Sequence, residues 1–599
     1  MNSVIEFKAY LAGKGQEAEK KLYYNAIGSF DIETTQYTTF DNKQRTYCYA
    51  WTFCIDETLY REGRDPEEFF KFLDELKLDK ILVIYVQWLG YEYYNLQKYF
   101  NDYGYVVEKK KGNYDILRII GKKYLFRCSA MLTGRMPLKE MGELVDLPKL
   151  ELDYDKKRNR NTYLNDEELG YNRRDVAIVC RYVRYLCDFF KLSPNELPNT
   201  VTGFYDIFLG RNGLNDTVRK LRAQGKYFPE KGNNGWREDD FDKFNEALKG
   251  GLIVINKDYQ GKTIDNAIYA DISSAYAYVG LSKLPYKFSH IYDTYPIGKQ
   301  RKLIDDIGNW GVLAKFTFTD LDLKEDANCD FLDLKEYPVE TYSAYMTNLE
   351  FKMIEMYYDY SSVEWEDLQA TPLKEIDKRE RKVILDFFDL KENSKGTASY
   401  DLIKKCLNSG SFGKKCIDIK KYGRTIDECK FYYPEGVWIS SIQRFRMINL
   451  IKEIGEDFIY TNTDSIVCRD TERTRKILED YNNTVVYDKL GKFDIDIIDK
   501  FHIIKPSQYI IVKGDKCKVV LSGAIHTEET ITLQDFEDIS EGGVYIIENG
   551  QHTIEQYSGL FNGFIDGIEV ESYDSLIIKP ISVEIKSTKL EKFDVYKRR

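Results

Sequence analysis

Two acidic residues at close spacing are the first candidates for chemistry in this sequence. Asp31 and Glu33 lie in an apolar stretch, and side chains at i and i+2 of a β-strand point to the same face. Two carboxylates on one face repel each other unless a divalent cation lies between them. The pair therefore predicts either a metal site or, more simply, an exposed acidic strand face.

A helical pair further along the chain favours the metal site. Tyr171 and Asp175 are four residues apart, which places them on one face of a helix. A tyrosine that orients water beside a metal-bound aspartate, together with two strand carboxylates, is typical of two-metal exonuclease chemistry. In such a site one cation lowers the pKa of the attacking water, and both cations stabilise charge on the phosphate.

A second pair of carboxylates lies in the other half of the sequence. Asp271 ends an apolar strand, and Asp464 lies in the hairpin sequence Tyr460–Ser465. Two acids at the tip of a sheet can hold two Mg²⁺ ions about 3.5–4 Å apart, which bind a triphosphate and activate a primer hydroxyl. The basic segment 404–414 between them is suited to a triphosphate if it is helical, although a solvated helix face gives the same pattern.

The local patterns also predict the elements that position these residues. Asn165 and Glu168 have the spacing of a capping box, so we expect a helix to begin there and to continue to Leu186. We predict a hairpin over residues 458–467 and helical structure over residues 385–415. Predicted strands cover residues 28–56, as successive strands, and residues 81–86 and 267–271.

Composition limits the classes of function. The 599-residue chain has 87 basic and 98 acidic residues, and its net charge of −11 excludes a uniformly basic nucleic-acid coat but allows an enzyme with a local basic channel. Basic clusters at residues 104–127 and 378–382 would either line such a channel or form solvated surface. The 4 histidines lack zinc-ligand spacing, and the 11 cysteines without a CxxC pair indicate a reducing compartment.

In this order, the motifs resemble those of the family B DNA polymerases, specifically the protein-primed branch of small tailed phages. Asp31–Thr34 resembles the first exonuclease motif of that family, and Tyr171–Asp175 resembles the third. Asp271–Tyr276 resembles polymerase motif A, and Tyr460–Ser465 resembles motif C. The remaining matches are Leu248–Gly251 with the linker between the exonuclease and polymerase domains, and Lys405 plus Ser409–Gly413 with motif B.

The resemblance implies roles at a polymerase site. Asp271 and Asp464 would bind metal with the help of the Ile272 carbonyl. Tyr276 would lie under the incoming sugar and exclude a 2′-hydroxyl. The other residues implied to bind the incoming nucleotide are Ser274, Lys391, Lys405 and Phe412. Those implied to bind DNA are Gly250, Gly251, Ser409, Gly413, Lys505 and Tyr509.

The resemblance also implies roles at an exonuclease site. The implied metal ligands are Asp31, Glu33 and Asp175, and the further catalytic residues are Glu92, Tyr171 and Lys149. The implied contacts with single-stranded DNA are Thr34, Ser129 and Tyr154.

The family fold is an α/β and α+β multidomain fold, with an RNase H-like 3′–5′ exonuclease domain before a polymerase with palm, fingers and thumb. The exonuclease domain would cover residues 1–195, ending near Ser193–Pro198. The other implied parts are palm (200–285 and 431–525), fingers (386–430), thumb (526–599) and an insertion at 287–385 that contacts the priming protein and DNA.

The implied activity is template-directed DNA synthesis with proofreading, on a linear phage genome and from a terminal-protein primer. Its cofactor would be Mg²⁺, two ions per active site, with Mn²⁺ as a substitute. Its partners would be primer–template DNA, dNTPs, the terminal protein and a single-strand-binding protein. We expect a monomer without a membrane partner, in the cytoplasm of an infected bacterial host.

Several positions depart from the family pattern. Asn462 stands where motif C has its first acid, and asparagine suits a left-handed hairpin tip. Glu92 replaces the aspartate of the second exonuclease motif, and Leu248 replaces the linker tyrosine. Lys505 would replace the lysine missing from the K-x-Y motif, which reads Ser507–Tyr509 here.

Motif B fits in two registers, either Lys405 with Ser409 or, with one residue inserted, Lys404 with Asn408. The departures also leave two other functions open. One is a 3′–5′ exonuclease with a degenerate polymerase half, and the other is a non-catalytic DNA-binding scaffold of a replisome.

Overall fold

The computed structural model describes most of the chain, which forms two compact units. The first unit comprises residues 1–204, 390–406 and 552–579, and the second comprises residues 205–389, 407–551 and 580–599. The described residues are 2–16, 22–40, 44–109, 116–223, 240–286, 288–290, 295–397, 399–417, 429–520, 528–541, 544–565 and 567–586.

The described α-helices run in chain order. They are α1 Val4–Gln16, α2 Pro66–Leu76, α3 Leu89–Asp102, α4 Ser129–Leu132, α5 Leu138–Leu144, α6 Asp166–Phe190, α7 Gly203–Arg211, α8 Asp216–Ala223, α9 Phe241–Ala247, α10 Ala275–Val279, α11 Ile297–Asp305, α12 Asn348–Tyr357, α13 Lys378–Asn393, α14 Tyr400–Ser411, α15 Tyr433–Ile454, α16 Glu472–Thr484 and α17 Leu533–Ser540.

The described β-strands are also numbered in chain order. They are β1 Tyr23–Thr39, β2 Gln44–Ile55, β3 Leu59–Gly63, β4 Ile81–Val86, β5 Val106–Lys109, β6 Ile116–Gly121, β7 Tyr124–Cys128, β8 Ile253–Ile255, β9 Thr263–Ile272, β10 Leu284–Pro285, β11 Ser289–His290, β12 Trp310–Leu323, β13 Val339–Thr347, β14 Tyr358–Asp359, β15 Ser362–Lys374, β16 Phe458–Asn462, β17 Ser465–Arg469, β18 Phe493–Lys505, β19 Gln508–Lys513, β20 Lys516–Val520, β21 Glu528–Ile531, β22 Val544–Ile565 and β23 Ile568–Lys586.

A mixed sheet forms the centre of the first unit. The strands β1, β4 and β7 are parallel neighbours, whereas β2 and β6 pair antiparallel with β1 and β7. The central strand β4 is apolar along its whole length because both of its faces are covered. Helix α6 packs on this sheet and begins with a capping box between Asn165 and Glu168, as the sequence predicts.

The second unit contains two antiparallel sheets. The larger has the order β21-β20-β19-β18-β9-β17-β16-β8, and the smaller has the order β10-β15-β12-β13. The buried helix α15 packs with residues of both sheets in one hydrophobic core. In the larger sheet, β9 lies between β17 and β18, so the two motif strands β9 and β17 are direct neighbours.

The predicted secondary structure is confirmed at each element that positions a candidate residue. The observed elements are β1 and β2 for residues 28–56, β4 for 81–86, β9 for 267–271, α13 and α14 for 385–415, and the β16–β17 hairpin for 458–467. The predicted domain boundaries stay predictions, and residues 587–599 of the predicted thumb lie outside the described residues.

Candidate active sites

Three carboxylates meet in the first unit. Asp31 and Glu33 on β1 and Asp175 on α6 each offer an oxygen that lies within 4.8 Å of the others. A bulge in the β1–β2 pairing falls directly after Glu33, where the register shifts from Glu33 opposite Ala50 to Thr34 opposite Cys48. The two strand acids share a face, as their spacing predicts, and α6 supplies the third acid.

The chemistry of this group fits a divalent cation. Oxygen ligands from carboxylates are those that Mg²⁺ prefers. Glu33 and Asp175 are buried, and Asp175 Oδ1 has no hydrogen-bond partner among the described residues. A buried carboxylate oxygen without a partner is costly, and a bound cation would remove that cost.

Burial and mutual repulsion raise the pKa values of these acids. Burial, followed by the charge of Asp175, raises the pKa of Asp31 from 3.8 to about 7. Burial and the charges of Asp31 and Asp175 hold the pKa of Glu33 well above its usual value. Burial also raises the pKa of Asp175, against the opposing charge of Lys149.

The raised pKa of Asp31 gives a prediction for the metal-free protein. A carboxyl with a higher pKa in the folded state binds more protons there, so stability falls as the pH rises from 3.8 to about 7. We expect Asp31→Asn to melt several degrees above the wild type at pH 8 in a chelator, since each kcal/mol shifts the melting temperature by about 2–4 °C in a domain of this size. At pH 3.5 we expect the two proteins to have the same melting temperature. Added Mg²⁺ should raise the melting temperature of the wild type only. Parallel melting curves of the two proteins across this pH range would contradict the prediction.

Lysine and tyrosine side chains complete this group. Lys149 Nζ forms an ion pair with Asp175 and lies 4.6 Å from the centre of the Tyr171 ring. The Tyr171 and Tyr154 hydroxyls are 2.6 Å apart, and Tyr154 is 65% exposed, so its ring is open to a ligand. The structure therefore brings the predicted residues Lys149, Tyr154 and Tyr171 together beside the carboxylates.

The predicted single-strand contacts have partners that the sequence did not reveal. The Thr34 hydroxyl lies 2.6 Å from the Tyr91 hydroxyl, and Ser129 Oγ donates to Gln87 Oε1 at 2.6 Å. In the sequence between the partner residues Gln87 and Tyr91, Trp88 has a left-handed backbone conformation with φ of 61°. A left-handed conformation is costly for a bulky side chain, and no sequence signal predicts it at this position.

Glu92 lies near the carboxylates but outside the group of three. Burial, followed by the charge of Asp31, holds its pKa well above the usual value. Its Oε2 has no hydrogen-bond partner among the described residues. The Glu92 side chain, which is one methylene longer than the aspartate of the family motif, therefore lies within the electrostatic field of Asp31. Its role in catalysis stays a prediction.

In the second unit, backbone pairing brings the other two aspartates to adjacent positions. Asp271 is opposite Ser465 in the β9–β17 pair, and Ile272 N donates to Asp464 O at 3.0 Å. Burial raises the pKa of Tyr269, and the charges of both Asp271 and Asp464 raise it further, against hydrogen bonds from Tyr509 and Ser465. Both carboxylates therefore act on the same hydroxyl, which fits a shared cation site at the end of this sheet.

The hairpin tip corrects one expectation. The left-handed residue is Thr463, with φ of 65°, whereas Asn462 is the last residue of β16 and pairs with Ser465. The turn is tight because Asp464 N donates to Asn462 O at 2.8 Å. Asn462 instead accepts a hydrogen bond from Thr463 Oγ1 at 3.1 Å, so its amide supports the turn without the left-handed geometry.

The glycine linker packs directly on this tip. A Cβ added to Gly251 would lie 2.8 Å from Thr463 Cβ and Cγ2, closer than side chains tolerate. Thr463 N also donates to Leu252 O at 2.7 Å, so the linker and the tip are joined by their backbones as well. Gly250 has open space around it, and its carbonyl accepts a hydrogen bond from Arg444 at 3.4 Å.

We expect Gly251→Ala to disturb the tip that presents Asp464. Overpacking costs about 1–3 kcal/mol, and a misplaced catalytic group costs about 10- to 100-fold in rate. Primer extension and thermal melting measure the two effects. Gly250→Ala, where the added Cβ meets nothing, is the matched control for melting. The double variant Gly251→Ala/Thr463→Gly relieves the clash, and failure to regain activity would show that the contact is not the cause.

Two predicted nucleotide-binding aromatics stack on each other. The Tyr276 and Phe412 rings are 4.1 Å apart at an interplanar angle of 10°. Burial, followed by the charge of Asp464, raises the pKa of Tyr276, which places the ring within the field of that carboxylate. Ser274 precedes α10 with a left-handed backbone, φ 53°, and so turns the chain from Asp271 toward Tyr276.

The two predicted lysines lie in the first unit, in separate environments. Lys391 is 4% exposed and pairs with Glu392 at 3.3 Å, and burial lowers its pKa. Lys405 is exposed on α14 and donates to Gly134 O at 3.0 Å. Lys404 is equally exposed, so the structure leaves both registers of motif B open.

The other predicted DNA contacts occupy different settings in the second unit. Tyr509 is buried, with its hydroxyl 3.5 Å from that of Tyr269, whereas Lys505 is half-buried at the end of β18. Ser409 is half-buried on α14, and Gly413 is exposed.

Several described side chains of the two basic clusters are paired with acids. Arg379 binds Asp377 at 2.7 Å, and Lys382 binds Asp386 at 2.5 Å. In the other cluster Arg118 pairs with Glu108, and Lys110 and Lys111 lie outside the described residues. This pairing favours the solvated-surface interpretation for the side chains that the structure describes.

Known proteins resemble the chain along most of its length. No protein-family model matches it. The DNA polymerases of Bacillus phages M2 and Nf are each 24% identical over 492 residues, which is 74% of this chain and 80% of each relative. No described helix has the length and apolar character needed to cross a bilayer.

Solved structures with this fold include those of phi29 DNA polymerase. Its complex with primer–template DNA has a TM-score of 0.65 at 16% identity, covering 93% of this chain and 99% of that one. Its ternary complex with incoming nucleotide has a TM-score of 0.63 at 18% identity, covering 92% and 99%. The predicted multidomain fold and the resemblance to protein-primed family B DNA polymerases are therefore confirmed: this chain is similar in sequence to the DNA polymerases of Bacillus phages and has the fold of phi29 DNA polymerase.

Proposed function

We propose that this chain is a template-directed DNA polymerase with a 3′–5′ exonuclease in the same molecule. The observation that supports it most directly is the hydrogen bond from Ile272 N to Asp464 O at 3.0 Å, which joins the strands of the two motif aspartates. The relatives, which are DNA polymerases by name, favour this function over a degenerate polymerase or a scaffold.

At the polymerase site, Asp271 and Asp464 hold the cations, and Tyr276, backed by Phe412, lies under the sugar. Divalent cations, Mg²⁺ or Mn²⁺, would stabilise charge on the phosphate at both sites. The Ile272 carbonyl and Ser274 border the triphosphate, and the linker glycines allow DNA to approach the hairpin tip. The assignments of Lys391, Lys405, Lys505 and Tyr509 rest on the motifs alone.

At the exonuclease site, Asp31, Glu33 and Asp175 hold the cations. Burial lowers the pKa of Lys149, but the ion pair with Asp175 outweighs this effect and raises the pKa above its usual value. Lys149 therefore stays charged and can bind a phosphate. The Tyr171 hydroxyl, held by Tyr154, orients the attacking water, and Thr34, Ser129 and Tyr154 contact the single strand.

A labelled primer–template with Mg²⁺ tests this function. We expect the primer to grow with dNTPs and to shorten without them. Shortening without growth would favour the exonuclease with a degenerate polymerase half. Binding without either change would favour the scaffold.

The phage relatives also suggest a setting for the reaction. We infer a linear phage genome, a terminal-protein primer, a single-strand-binding partner and the cytoplasm of an infected bacterium. Extension reactions with and without a terminal protein test the priming mode. Growth from an ordinary primer but never from the protein would remove protein priming and leave the polymerase proposal intact.

A further inference from the structure

The second residue after motif B is a lysine that is enclosed by two acids in the second unit. Lys415 is 1% exposed, and its Nζ donates to Glu435 Oε2 at 2.6 Å and lies 2.8 Å from Glu380 Oε1. Glu380 is 4% exposed and Glu435 is 9% exposed. Burial alone would lower the pKa of Lys415, but the charges of the two acids outweigh it and hold the lysine protonated.

These three charges join three separate elements. Glu380 belongs to α13, Lys415 to the 3₁₀ helix Gly413–Cys416, and Glu435 to the first turn of α15. A buried ion cluster adds little net stability over apolar side chains of the same volume, because desolvation of the charges offsets their attraction. What such a cluster does supply is a defined geometry of the elements that it joins.

The backbone of Lys415 connects the cluster to Phe412. Lys415 N donates to Phe412 O at 2.8 Å. Helix α15 packs closely on the same turn, since a Cβ on Gly436 would lie 2.7 Å from Lys415 O. The Phe412 ring in turn stacks on the Tyr276 ring, with the ring centres 4.1 Å apart. Phe412 therefore contacts both the backbone of Lys415 and the ring of Tyr276, and it links the cluster to that ring.

We propose that the Glu380–Lys415–Glu435 cluster positions Phe412 against Tyr276 and thereby sets how strongly the polymerase site selects deoxynucleotides over ribonucleotides. This inference rests on the proposed function. The Tyr276 ring excludes a 2′-hydroxyl only if its plane is fixed, and Phe412 is the ring that fixes it from one side. Loss of the cluster would release the 3₁₀ helix and allow both rings to tilt.

Lys415→Met tests the proposal in the full chain. We expect the ratio of kcat/KM for a dNTP over the matching rNTP to fall about tenfold or more, mainly through a higher kcat/KM for the rNTP, because a tilted Tyr276 ring no longer excludes the 2′-hydroxyl. Primer extension with the dNTP, which uses residues of the second unit, together with the thermal melting curve, reports that the variant is folded. Lys415→Arg keeps the charge and regains part of the ratio. Lys452→Met, which removes an exposed lysine of α15, is the matched control and leaves the ratio unchanged.

An unchanged ratio in folded Lys415→Met overturns the proposal, and so does a fall in kcat with the ratio intact. If that variant does not fold, Glu435→Gln decides, because it keeps the Lys415–Glu380 pair. It must lower the ratio, and an unchanged ratio overturns the proposal. A wild type that extends no primer would overturn the proposed function instead.

Discussion

Replacing Asp271 or Asp464 with alanine is expected to abolish primer extension and to leave the shortening of single-stranded DNA intact. The two residues lie at adjacent positions of β9 and the hairpin tip, and both of their charges raise the pKa of Tyr269. Each carboxylate supplies charge for cations that stabilise the phosphate by several kcal/mol. Loss of one should therefore cost about 10³-fold or more in extension rate.

The matched control for this experiment lies on the same strand. Asp265 is an exposed acid of β9, six residues before Asp271, and Asp265→Ala should extend primers like the wild type. Thermal melting of each variant at the wild-type temperature reports that the second unit is folded. Primer extension by Asp464→Ala at the wild-type rate would contradict the assignment of Asp464 to the polymerase site. If both variants matched the wild type in every activity that is measured, the non-catalytic scaffold would be favoured.

Residues whose role depends on local pattern could be predicted from the sequence. The capping box at Asn165 and Glu168 fixes the start of α6, and that start sets which face carries Tyr171 and Asp175. Asp31 and Glu33 share a face because strand periodicity is two. These signals lie within a few residues of each other, so a single sequence contains them.

Residues whose role depends on contacts distant in sequence could not be predicted. The Gly251–Thr463 contact spans more than two hundred positions, and the left-handed Thr463 follows from how the tip packs on the linker. Lys415 has the sequence appearance of a solvated lysine, yet it is buried between acids from two other helices. Lys391 likewise is implied by the resemblance to bind the incoming nucleotide, yet its side chain is buried in the fold.

Conservative removal of one exonuclease carboxylate should have the opposite effect to the polymerase variants. We expect Asp175→Asn or Glu33→Gln to abolish shortening of single-stranded DNA while primer extension with dNTPs continues. The oxygens of Asp31, Glu33 and Asp175 lie within 4.8 Å of each other, so an amide in place of one acid removes a negative ligand from the only such group of three found among the described residues. The expected loss is about 10³-fold or more.

The controls for this prediction separate catalysis from folding. Asp188→Ala removes an exposed acid from the same helix α6 and should shorten DNA like the wild type. Asn at position 175 keeps the side-chain volume but weakens the ion pair with Lys149, so Lys149→Met is measured beside it. If the ion pair alone mattered, the two variants would lose equal activity. If the carboxylate holds a cation, Asp175→Asn loses more, and its residual activity no longer rises with Mg²⁺. Shortening by Asp175→Asn at the wild-type rate would show that the three carboxylates are not the exonuclease site.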